Sequence, residues 1–184
     1  MNKFTLLVTR ASVVTVLTVS ALVLLAAEQA HARTTTVGID QAAPVVSRHD
    51  VDINAPLSTV WAIQTNISNW PTWQPSVTAA HLDGPLSVGS TFEWAQGDLK
   101  ITSTIREIVP QRRIVWTGEA QGIDAVHVWV FTATRNGVHV HTEESWRGDV
   151  VKANAKTLQP MLDAALQDWL ARLKQVSEGG APRR

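Results

Sequence analysis

The chain has 184 residues, no cysteine, no tyrosine, eight tryptophans and a formal net charge of +0. The missing cysteines exclude disulfides, thiolate chemistry and Cys-zinc sites. The balanced charge leaves no basic excess for nucleic acid and no long charge run.

Met1 to Ala32 reads as an export signal. Lys3 and Arg10 supply a positive start, Ala11 to Ala27 is uncharged and mostly apolar, and Ala30-His31-Ala32 offers a small-x-small cleavage pattern. The apolar run of 17 residues sits at the short edge of what spans a bilayer core of roughly 30 Å. Cleavage after Ala32 and a periplasmic or secreted domain are therefore expected. The alternative is an uncleaved segment that ties the domain to the membrane. The remaining chain, Arg33 to Arg184, has 152 residues, enough for one domain with one core.

Residues 33–44 carry a Thr-rich, unpatterned stretch expected to be a linker or a frayed end. Val45 to Ile53 alternates as a strand, and Asn54-Ala55-Pro56 ends it. Val60, Trp61 and Ile63-Gln64 predict a short amphipathic helix. The prolines of Asn69-Trp70-Pro71-Thr72-Trp73-Gln74-Pro75 then predict a helical turn presenting Trp70 and Trp73. Val77 to Leu82, Thr91 to Trp94, Leu99 to Val109 and Ile114 to Ala120 read as strands separated by Gly, Pro and Asp punctuation. Leu99, Ile101, Ser103 and Ile105 against Lys100, Thr102, Thr104 and Arg106 is the alternation of an antiparallel sheet with one covered face.

Asp124 to Arg147 holds two alternating runs around Asn136-Gly137, a dipeptide suited to a two-residue hairpin turn. With Asn136 and Gly137 central, Arg135 pairs with Val138, Phe131 with Thr142, Trp129 with Glu144 and His127 with Trp146. Side chains alternate faces, so His127, Trp129, Phe131, Thr142, Glu144 and Trp146 share one face. An aromatic wall with one carboxylate and one imidazole is the composition of a small-molecule pocket; the plainer reading is two satisfied buried polar residues. The last element is an amphipathic helix through Leu162, Leu166, Trp169 and Leu173, stopped by Gly179-Gly180. Pro160 places its start near Thr157, or else a kink in a longer helix.

In this order the chain resembles the START-like, Bet v 1-like superfamily, and within it the polyketide cyclase/dehydrase and lipid-transport group. The carrying residues are Ile53-Asn54-Ala55-Pro56 with Val60-Trp61, Trp70 to Pro75, Val88-Gly89-Ser90-Thr91-Phe92, Ile105 to Pro110, His127-Val128-Trp129 and the closing helix with Trp169, Leu173 and Lys174. Asn66-Ile67-Ser68 stands where many relatives carry an acidic residue. The resemblance implies an α+β helix-grip fold over 45–178: a seven-stranded curved antiparallel sheet around the C-terminal helix, with a short tail at 179–184. It also implies a cavity for a hydrophobic small molecule, and carriers, sensors and enzymes alike use this fold.

The residues expected along that cavity are Trp73, Phe92, Trp94, Trp116, Trp129, Phe131, Thr142, Trp146 and Trp169. Glu144 and His127 share the inner face. Burial raises a carboxyl pKa and lowers an imidazole pKa, so the pair could move a proton in an aldol-type cyclisation or a dehydration, or merely orient a ligand. His139, His141 and Glu143 lie on the opposite, solvent side, where a metal triplet is outweighed by a solvated polar face. No metal site, nucleotide motif or other cofactor site is expected. The leading expectation is an exported protein that holds a hydrophobic or aromatic small molecule, lipid or polyketide-like, in a Trp-rich cavity. A cyclase/dehydratase using Glu144 and His127 is the alternative, and a packed envelope protein without a void is the third.

Overall fold

The computed structural model describes residues 36–179. The expected signal, Met1 to Ala32, lies outside the described residues, as does all of the tail beyond Gly179. Strand β1 is Val45–Ile53, helix α1 is Leu57–Thr65, and a 3₁₀ helix covers Ile67–Thr72. Strands β2 (Val77–Leu82), β3 (Thr91–Gln96), β4 (Leu99–Val109), β5 (Arg113–Ala120), β6 (Ile123–Thr134) and β7 (Gly137–Arg147) come next, and helix α2 is Asp149–Ser177. The strands form one seven-stranded sheet in the order β1-β7-β6-β5-β4-β3-β2, and every neighbouring pair is antiparallel. This is the helix-grip arrangement: the sheet's inner face and α2 bury one another.

The closing helix starts earlier than Thr157. It begins at Asp149 and departs from helical geometry at Asn154 (φ −121°, ψ 17°) rather than at Pro160. Asn154 Nδ2 donates to the Val150 carbonyl at 2.8 Å, so a side chain takes the place of the next turn's backbone donor there. Pro160 is accommodated inside the second segment.

The β6–β7 register also differs from the expectation. Thr134 pairs with Gly137, Phe131 with Val140, Trp129 with Thr142 and His127 with Glu144. Arg135 and Asn136 are the turn residues. Gly137 is needed for another reason: at φ 147° a Cβ would lie 2.0 Å from the Ile53 carbonyl oxygen. The end of β1, where Ile53 pairs with Val138, lies hard against this backbone, which only glycine permits. Moving the turn by one residue shifts each partner by two, so every side chain keeps its face.

A patch of the outer face is covered by the segment expected to be a linker. From Val37 to Asp40 it is docked on the sheet. Ile39 is buried with Val115 and Val128. The Val37 N–H donates to Glu107 Oε2 at 2.9 Å, and Arg113 Nη2 donates to the Val37 carbonyl. Glu107 reaches this face because β4 bulges between Ile105 and Glu107, which reverses the alternation beyond that point. There it pairs with Arg113 at 3.1 Å.

Candidate functional site

The inner face divides into two ends. At the end nearer the β6–β7 turn, α1 and the 3₁₀ helix fill the space. Trp61 meets Phe131 edge-on at 5.3 Å, and Trp70 packs edge-on against Phe92 at 5.6 Å and Trp169 at 5.1 Å. At the other end the sheet narrows to small side chains. Ser103 on β4 pairs with Gly118 on β5, Gly118 with Ala125 on β6, and Ala125 with Trp146 on β7. A Cβ on Gly118 would stand 3.3 Å from Ser103 Oγ, so a side chain there presses on Ser103 before it reaches the space above.

Above this row a cavity of about 350 Å³ opens between the sheet and α2. Its walls include Trp94, Trp116, Trp146 and Trp169, with Leu162 and Leu166 from the helix. Met161, at the mouth, is 56% exposed. The lining contains one carboxyl, Glu144, one imidazole, His127, and no Lys or Arg. The expected cavity residues therefore separate. Trp94, Trp116, Trp146 and Trp169 line it beside His127 and Glu144. Trp73, Phe92, Trp129 and Phe131 are core side chains, and Thr142 stands behind His127. Ser103, Gly118 and Ala125 join the lining without an expectation from sequence; their signal is only the smallness of three residues on three strands, which needs the register to be noticed.

His127 and Glu144 are direct cross-strand partners. His127 Nδ1 lies 3.2 Å from Glu144 Oε2, and Trp146 Nε1 donates to Glu144 Oε1 at 2.7 Å. On the other side of the ring, His127 Nε2 lies 2.8 Å from Thr142 Oγ1. The Thr142 hydroxyl donates to the Val128 carbonyl at 3.1 Å. Its proton is thereby committed, so Thr142 must accept from His127 Nε2–H. This fixes the tautomer. A neutral His127 with its proton on Nε2 turns a bare Nδ1 toward Glu144 Oε2, 3.2 Å away. The pKa directions agree. Burial raises the Glu144 carboxyl to about 7, against the Trp146 hydrogen bond, which pulls it down. Burial depresses His127 to about 3. Burial thus favours the uncharged form of each group: the imidazole stays neutral, and the carboxyl keeps its proton up to about pH 7.

The outer side of β7 is unlike this. His139 lies between Asp52 at 2.9 Å and Asp50 at 3.1 Å, and His141 lies 2.8 Å from Asp50. Glu143 pairs with Arg48 at 3.2 Å. Hydrogen bonds to Asp52 and Asp50 raise the His139 pKa against its slight desolvation. Among the described residues, no group of three or more His, Cys, Asp or Glu is placed to hold a metal ion.

A search among curated proteins finds no match. Solved structures do match. A hypothetical protein, jhp0584, from Helicobacter pylori aligns with TM-score 0.67 and 21% identity over 79% of this chain and 99% of that one. The di-domain ARO/CYC StfQ from the steffimycin biosynthetic pathway aligns with TM-score 0.63 and 16% identity over 73% of this chain and 51% of that one. A START superfamily protein from Mycobacterium smegmatis aligns with TM-score 0.58 and 13% identity over 73% of this chain and 97% of that one. At these identities the likeness is one of fold. The sequence model described as polyketide cyclase / dehydrase and lipid transport matches residues 44–178. The chain belongs to the polyketide cyclase/dehydrase and lipid transport family, with the START-like, Bet v 1-like fold.

Proposed function

We propose that this protein holds a hydrophobic or aromatic small molecule, lipid or polyketide-like, in the cavity between its sheet and α2, and that it does so outside the cytoplasm. The observation that carries this reading is the cavity of about 350 Å³ with four indoles in its wall. That size is within the range of small-molecule sites, and a largely apolar lining with a few polar groups is their usual composition. The export part rests on the pattern of Met1 to Ala32. Titration with a panel of fatty acids, sterols and polycyclic aromatics should shift tryptophan emission and raise Tm for at least one class. A panel that moves neither would end this reading. N-terminal sequencing of the chain from fractionated cells should begin at Arg33.

A second reading has its own support. The pair His127–Glu144 lies in the cavity wall at 3.2 Å, a carboxyl raised to about 7 beside a neutral imidazole, groups suited to general acid–base work in cyclisation or dehydration. A bound β-dicarbonyl probe should then exchange its α-hydrogen with solvent deuterium faster on the protein than free. An exchange rate unchanged by the protein would remove the enzymatic reading and leave binding.

A further inference from the structure

We propose that the cavity selects uncharged aromatic ligands carrying an O–H group, phenol or enol, which donates to Glu144, and that it turns away carboxylates of the same shape. This selectivity deepens the binding function proposed for the cavity and rests on it. It follows from the donors and acceptors in the wall. The indole N–H of Trp94 is taken by Ser103 Oγ at 3.1 Å, that of Trp146 by Glu144 Oε1 at 2.7 Å, and that of Trp169 by Gln64 Oε1 at 3.2 Å. His127 Nε2–H is taken by Thr142. Three of the four wall indoles, and the imidazole, have thus spent their donors inside the protein; the neutral N–H groups left in the lining belong to Trp116, Gln96 and Gln121, and none of them carries the charge that would offset a buried carboxylate.

Acceptor capacity remains. A carboxyl group has two oxygens with two acceptor positions each. Glu144 uses one position on Oε1 for Trp146 and meets His127 through Oε2, so Oε1 retains a free lone pair in a group that lines the cavity. A ligand hydroxyl satisfies it. A carboxylate has no proton to give, meets no Lys or Arg in the lining, and would have to shed its water beside a carboxyl group, at the cost that attends any unpaired buried charge. The flat, aromatic part of the ligand is set by the indole walls, which favour offset or edge-on ring contacts.

The test is calorimetric titration of the whole domain with four naphthalenes: 2-naphthol, 2-methoxynaphthalene, 2-methylnaphthalene and 2-naphthoate. About pH 6 suits it, since a carboxylic acid is ionised there and a phenol is not. The naphthol should bind about tenfold more tightly than the ether and the methyl compound, the ratio expected for one buried hydrogen bond, and the naphthoate should bind least. An ether or a carboxylate that equals the naphthol overturns the ligand class while leaving the cavity reading intact. Absence of heat from all four compounds overturns the ligand class, and the cavity reading then stands or falls with the fatty-acid and sterol titrations. In Glu144→Gln an acceptor oxygen persists and the naphthol preference should survive. In Glu144→Leu it should vanish; a folded Glu144→Leu protein that keeps the preference rules out Glu144 as the acceptor. Where Glu144→Leu does not fold, the four-compound series on the unaltered protein still decides.

Discussion

His127 Nδ1 stands 3.2 Å from Glu144 Oε2, and Trp146 and Thr142 hold the two groups from behind. Burial shifts the two groups in opposite directions, and their combined proton count determines how this site's contribution to stability varies with pH. Taken singly, His127 is depressed from 6.5 to about 3, so its contribution is present above pH 6.5 and is lost as pH falls toward 3. Glu144 is raised from 4.5 to about 7, so its contribution is present below pH 4.5 and is lost as pH rises through 7. Between pH 4.5 and 6.5 the unfolded pair and the folded pair each hold one proton, and the two slopes cancel.

Stability should therefore form a plateau from pH 4.5 to 6.5 and decline on both sides as far as this pair is concerned. Glu144→Gln removes the compensation. The amide oxygen can still accept from Trp146 and the amide N–H can donate to His127 Nδ1, so the fold should persist. The unfolded His127 now gains a proton that the folded one refuses, and acid-side loss should begin near pH 6.5 instead of 4.5. Glu143→Gln, on the outer face, should leave the profile unchanged. Melting curves of the three proteins from acid to neutral pH measure this. Superimposable profiles for the parent and Glu144→Gln would show that Glu144 does not carry the compensating proton.

Thr142 should control the tautomer of His127. Thr142→Val keeps the shape but leaves His127 Nε2–H buried without an acceptor, at a cost of roughly 1–3 kcal/mol. The ¹⁵N shifts of the ring should then lose the pure Nε2–H signature. Thr142→Ser restores the hydroxyl and should restore both. A ring spectrum identical in Thr142→Val would mean that Glu144 alone orders the imidazole.

Strand faces are legible in the sequence because alternation alone determines them. His127, Trp129, Phe131, Thr142 and Glu144 point inward as their spacing requires. They do so even though Asn136-Gly137 suggests the wrong hairpin register, because the partners shift by two. The partner of Glu144 is not legible. It depends on whether Gly137 serves the turn or the close approach of β1, and the backbone of Ile53 that decides this lies far away in sequence. Which inward aromatics line a cavity is hidden for a related reason. Trp129 and Trp116 look alike along a strand; α1 and the 3₁₀ helix cap one end of the sheet, while Ser103, Gly118 and Ala125 leave room at the other. The bulge at Arg106, which sends Glu107 to the outer face to receive Val37, has no local signature at all.

Gly118 should control occupancy. Its backbone is ordinary extended strand, absent from the positive-φ residues, so a side chain is tolerated conformationally. A Cβ would meet Ser103 Oγ at 3.3 Å and Ile101 Cγ2 at 3.4 Å, so Ser103, which accepts from Trp94 Nε1, must give by a few tenths of an ångström. Gly118→Leu then projects its branch into the void. We expect stability within about 1 kcal/mol of the parent, since the added volume enters space and not packed atoms, together with loss of ligand binding. Full affinity in a folded Gly118→Leu protein would place the ligand elsewhere.

Gly137 and Asn136 separate the two hairpin registers. A turn centred on Asn136-Gly137 needs φ > 0 at both residues, and both would resent alanine. In the structure Asn136 is not among the positive-φ residues, whereas Gly137 lies at φ 147° beneath the Ile53 carbonyl, with Asn54 Cα 3.0 Å from the site of its missing Cβ. Those neighbours are backbone and cannot rotate aside; relief requires β1 to lift from the hairpin. Gly137→Ala should cost on the order of 3 kcal/mol, and Asn136→Ala less than about 1 kcal/mol. Urea unfolding of the two variants measures both. Equal losses would restore the turn to Asn136-Gly137, move Glu144 opposite Trp129, and break the cross-strand pairing of His127 with Glu144.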